Sequence, residues 1–158
     1  MKVSHVKHVT ALGLVAILLL QVIWLYNMYV LLQNEIKDKS DNSLQTAIQL
    51  ESVYRLQLLE DDPNRPDEII GSAPISEDGN LVDQTLYYQE ALIKYGYPIV
   101  LSKLDSIYIS KLGEQGVQTD IILNHIDIKD KTILQSVGFS GQSFWGAIQT
   151  EVIPIRQD

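Results

Sequence analysis

A chain of 158 residues has room for one domain with an appendage, and this one carries a formal net charge of −8, 46% hydrophobic residues and no cysteine. The missing thiols exclude a disulfide framework, a thiolate zinc or iron–sulfur site and a cysteine nucleophile. A pI near 4.7 argues against nucleic acid as a partner, because phosphate neutralisation needs a basic face.

The apolar residues are concentrated near the N-terminus. Val9 to Leu32, VTALGLVAILLLQVIWLYNMYVLL, contains no Asp, Glu, Lys or Arg. A helix of that length covers roughly 36 Å, enough for a hydrocarbon core of about 30 Å with some tilt. The segment predicts a transmembrane helix that contacts lipid, with residues 1–8 as a short tail. A cleavable signal peptide would have a shorter apolar run followed by small residues, whereas Tyr26, Met28 and Tyr29 lead straight into Gln33 and Asn34. Trp24, Tyr26 and Tyr29 gather where aromatic rings suit the membrane–water interface. Lys2 and Lys7 before the span are balanced by Lys37 and Lys39 after it, so basic residues alone leave the orientation tied. The amine of Met1, with His5 and His8, tilts it toward a cytoplasmic N-terminus. Gln21 and Asn27 could hydrogen-bond a second copy of the helix or simply be tolerated, Asn27 more readily so near the interface.

Gln33 to Asp158 holds all 20 acidic residues and only 10 of the 12 basic ones, which predicts one acidic, water-facing domain. Glu35 to Glu60 lacks Pro and Gly, and Leu44, Ala47, Ile48, Tyr54 and Leu58 recur at helical spacing, with Glu51 interrupting the stripe. Nothing breaks the chain between span and stripe, so Val9 to Glu60 is expected to be one helix roughly 78 Å long. Residues 61–80, DDPNRPDEIIGSAPISEDGN, read as a flexible loop with three prolines and two glycines. Asp61, Asp62, Asp67 and Glu68 lack the spacing of a calcium loop, and no metal site is predicted.

Leu81 to Tyr95 returns to helical character, with Gly96 at the C-cap position. Pro98 separates it from a second helix, Ser102 to Leu112, which Ser102 and Asp105 would open as a capping box and Gly113 and Gly116 would close. Thr119 to Ile126, Thr132 to Phe139 and Ala147 to Ile155 read as strands, with a turn over Asp127 to Lys131. Helices first and adjacent strands afterwards predict an α+β domain with an antiparallel sheet. The last strand runs on to Arg156 and the chain stops two residues later, so the domain is expected to be C-terminally incomplete.

Catalytic constellations are scarce. His125, the only histidine beyond the span, sits in a strand pattern, and no nucleophile elbow accompanies it. The glycines from Gly138 to Gly146 match no phosphate-binding fingerprint, so no cofactor is predicted. Tyr87, Tyr88, Tyr95, Tyr97 and Tyr108, with Trp145, have the chemistry of a small-ligand pocket; Tyr88, Tyr97, Tyr108 and Trp145 are the binding candidates, and core packing is the stronger reading of all of them.

Three strings together carry a resemblance: LLLQVIWLYNMYVLLQNEIKDKSDNSLQTAIQLE, YQEALIKYGYPIVLSKLDSIYISKL and WGAIQTEVIPIRQD. They resemble the input region of membrane-bound two-component sensor histidine kinases of Gram-negative bacteria, over most of the chain outside the loop. The resemblance implies a cytoplasmic N-terminus, an inner-membrane anchor and a PAS-like periplasmic sensor domain. It also implies a homodimer that responds to an extracytoplasmic ligand or protein and reaches a response regulator only through kinase domains beyond Asp158. His125 is followed by Ile-Asp-Ile-Lys rather than a phosphoacceptor motif, and no ATP lid is present, so no catalytic residue carries over. The alternative function is a membrane-tethered binding or scaffold protein with no kinase behind it, and an enzyme using His125 comes third.

Overall fold

The computed structural model describes residues 3–63, 81–127, 129–138 and 147–155. Its elements in chain order are helices α1 (Val3–Glu60), α2 (Leu81–Lys94) and α3 (Leu101–Glu114), then strands β1 (Ile122–Ile126) and β2 (Ile133–Gly138). The chain divides into two compact units, Met1–Asp38 and Lys39–Asp158.

The first unit is the N-terminal part of α1. Nothing in its sequence breaks the helix: Gly13 is its only glycine, and no proline intervenes before Pro63. From Lys7 to Tyr29 every side chain is exposed, all round the helix, with Leu20 66% and Trp24 63% exposed. The helix is long and apolar enough to cross a membrane, and this stretch is not buried among the described residues.

In the second unit α1 becomes amphipathic. Leu44, Ala47 and Ile48 are buried, and with Leu101, Leu104, Tyr108 and Leu112 of α3 and Leu123 of β1 they form the core. The spacing of three and four that places these residues on one face is that of an α-helix against a neighbour. The sequence extended this face through Tyr54 and Leu58, but Leu58 is 40% exposed; the buried line runs instead through Glu51, Ser52, Arg55 and Leu59.

Both shorter helices end in Schellman motifs. After α2 the Tyr97 N–H donates to the Leu92 carbonyl and the Gly96 N–H to Ile93; after α3 the Val117 N–H reaches Leu112 and the Gly116 N–H reaches Gly113. Gly96 has the left-handed φ of 88° that this cap requires. The start of α3 differs from expectation. The helix begins at Leu101, its N-cap is Val100 and no side chain caps it, so Ser102 and Asp105 form no capping box. Instead Glu51 of α1 accepts the Val100 N–H at 2.9 Å.

The strands pair antiparallel, Leu123 opposite Val137 and His125 opposite Gln135, with a shift that sets Ile126 opposite Ile133 and leaves Leu134 as an extra residue. Aspartates build the connection as expected from their turn chemistry: Asp127 accepts the Lys129 N–H, and Asp130 accepts from both the Thr132 N–H and hydroxyl. Those Thr132 bonds hold the Asp130 carboxyl below its ordinary pKa.

Ala147 to Ile155 is not a strand, which corrects the sequence expectation; among the described residues the sheet has two strands. The alternation that suggested a strand slips at Val152, which is 56% exposed, while Ile153 and Ile155 turn to the core. The Glu151 N–H is taken by the Asp41 carboxylate at 2.8 Å, and Pro154 has no N–H to offer a ladder. Of the predicted loop, residues 64–80 lie outside the described residues. The α+β class with an antiparallel sheet therefore stands, within a chain that is mostly helical.

Candidate functional site

The polar centre of the second unit is built on Glu51 and Arg55, one helical turn apart on α1 and both fully buried. A guanidinium carries five N–H donors in a rigid fork, and here the fork is used in three directions. Nε and Nη2 each lie 2.8 Å from Glu51 Oε2; Nη1 donates to the Tyr97 carbonyl at 2.9 Å; Nη2 also donates to Gln89 Oε1. Glu51 uses its other oxygen on the Val100 N–H. One ion pair on α1 thus ties together α2, the residues between α2 and α3, and the N-cap of α3. Burial of the pair is tolerated because each partner's remaining hydrogen-bonding capacity is largely met. The exception is Gln89 Nε2, which is buried and finds no partner among the described residues.

Two further polar contacts flank this centre. The Tyr97 hydroxyl donates to Asp62 at 2.7 Å, just past the end of α1, and that bond holds the phenol above its ordinary pKa. Lys103 of α3 stands 4.9 Å from the centroid of the Tyr54 ring on α1. At the other end of the unit, Tyr108 lies in the core with its hydroxyl bonded to Ser40. Burial raises its pKa and the nearby Asp41 charge adds to this, while the Ser40 bond opposes.

The predicted binding residues are dispersed. Tyr108 packs against the Leu44–Ile48 turn of α1, Tyr97 is bonded to Asp62 beyond the helix's opposite end, Tyr88 is 43% exposed on α2, and Trp145 lies outside the described residues. His125 is half-buried on β1, opposite Gln135. Among the described residues no group of three or more His, Asp or Glu could hold a metal ion, and Asp67 and Glu68 lie outside them.

Sequence reading missed Glu51, Arg55 and Gln89 as a unit because it treated Glu51 as an interruption of an apolar stripe. The signal was available: an acid and a base at i and i+4, both on the face set by Leu44, Ala47 and Ile48, must be buried together or not at all.

Comparison with protein-family models, with curated proteins and with solved structures gave no match.

Proposed function

We propose that the chain is the signal-input region of a two-component sensor histidine kinase, anchored in the inner membrane by Val9 to Leu32. In this reading the N-terminus is cytoplasmic and the acidic remainder forms a periplasmic, PAS-like sensor domain that works as a homodimer. The observation that carries it is the unbroken course of α1, whose first part exposes an apolar surface suited to lipid and whose second part supplies one wall of the core. The order of elements, a long helix, two short helices and an antiparallel hairpin, supports a sensor domain of this type.

An extracytoplasmic ligand or protein shifts such a domain only by binding two arrangements of it with different affinity. The Glu51–Arg55 centre gives that difference a route, because α1 cannot slide or turn without disturbing its bonds to Gln89, Tyr97 and Val100. Helix displacement then carries the state across the membrane. Phosphotransfer and the response regulator belong to kinase domains beyond Asp158.

The test is the reading frame and a helix break together. The frame beyond Asp158 should encode a second apolar span and a His-Glu-Leu-Lys/Arg-Thr-Pro segment. Inserting Gly-Pro after Ser40 in that full-length protein should abolish stimulus-dependent autophosphorylation without preventing membrane insertion. A stop codon soon after Asp158 would favour the tethered binding protein instead, and unaltered signalling by the insertion variant would refute transmission through α1.

A further inference from the structure

We propose that Gln21 is the contact through which this helix pairs with a second copy of itself in the bilayer, an inference that rests on reading Val9 to Leu32 as a membrane span. Gln21 falls at the midpoint of that segment, so its amide lies about 15 Å from either interface. A glutamine side chain is far too short to reach water from there. The backbone N–H and C=O groups around it are committed to the helix, and among the described residues its amide has no partner in its own chain. Its side chain is exposed, which at that depth means exposed to hydrocarbon. Asn27 is in a different position: it lies five residues from the end of the segment, about 7.5 Å, beside Tyr26 and Tyr29, where interfacial water and headgroups can satisfy it.

The occupant that fits Gln21 best is a second Gln21. A carboxamide carries both donors and an acceptor, so two copies related by a two-fold axis close a reciprocal pair of hydrogen bonds, with no other polar group needed. Heptad spacing around Gln21 runs unbroken through Leu14, Ile17, Trp24 and Met28, giving the amide an apolar seam on both sides for a parallel helix pair. A polar residue at one position of such a seam fixes its register, and Gln21 does so here.

The absence of cysteine makes the test direct. Single cysteines are placed in the full chain at Leu14 and Met28, on the Gln21 side, and at Leu12 and Leu19, on the opposite side, and vesicles carrying each variant are oxidised with copper phenanthroline. Dimer should form at least tenfold faster from Leu14→Cys and Met28→Cys than from Leu12→Cys and Leu19→Cys. Adding Gln21→Leu, which makes insertion easier, should slow the fast pair at least fivefold; Asn27→Leu should leave it within twofold. Equal cross-linking around the helix, or a Gln21→Leu rate within twofold of the parent, would overturn the pairing while leaving the span intact. Release of the chain from the vesicles by alkaline carbonate would overturn the span itself, and the pairing with it.

Discussion

Arg55 is the residue on which the second unit turns. Its fork joins α1 to α2 and to the segment before α3, and its partner Glu51 holds the start of α3. Arg55→Met keeps the bulk of the side chain but leaves Glu51 buried without its counter-charge, and should cost about 3–5 kcal/mol in urea unfolding followed by far-UV circular dichroism. Pairing it with Glu51→Leu should recover only part of that loss, because the Val100 N–H, the Tyr97 carbonyl and Gln89 are then orphaned as well. Tyr108 gives a second residue-scale expectation. Its folded pKa is raised by burial, so the protein holds the neutral phenol more tightly than the unfolded chain does. That contribution is complete below the unfolded value of about 10 and is lost as pH rises through the folded value. The urea midpoint should therefore fall above pH 10, and Tyr108→Phe should flatten the fall; a parallel decline in both proteins would refute the assignment. Residues at this scale were the least legible in the sequence, since the pattern that marks Leu44, Ala47 and Ile48 as core says nothing of what lies opposite Glu51.

Elements were far more legible, because their signals are local. The absence of breakers predicted the unbroken α1, Gly96 predicted the end of α2, and the aspartates between the strands predicted the hairpin. What failed was pairing between distant parts of the chain. Ala147 to Ile155 has the alternation of a strand, but whether a strand forms depends on a neighbour with free backbone groups, and here the Asp41 side chain takes the Glu151 N–H. The missing capping box has the same cause, a distant glutamate taking the N-cap N–H that a local aspartate was expected to take. Two glycines separate kinds of cost at this scale. A methyl group at Gly96 meets open space, so Gly96→Ala should cost only the left-handed strain of about 1–2 kcal/mol. At Gly138 the φ is also positive, at 116°, and the added carbon would overlap the Ile121 carbonyl. Gly138→Ala should therefore lower the thermal midpoint further than Gly96→Ala does; equal shifts would show that the hairpin relaxes around the methyl.

For the whole molecule, the deciding feature is the contrast along one helix. Between Val9 and Leu32 the residues of α1 that face outward are mostly leucines, isoleucines, valines and aromatics, whereas those facing outward in the second unit include Asn42, Gln45, Thr46, Gln49 and Gln57. By the hydrophobic effect the first surface suits lipid and the second suits water. A positive-inside tie did not fix which side the domain occupies, and the periplasmic placement rests on the proposed sensor role. Protease added to intact spheroplasts expressing the chain with an N-terminal tag tests that placement and the anchor together. Residues beyond the span should be digested while a tagged fragment of the first helix stays in the membrane pellet after alkaline extraction. A full-length chain untouched by protease, or one released into the supernatant, would contradict it.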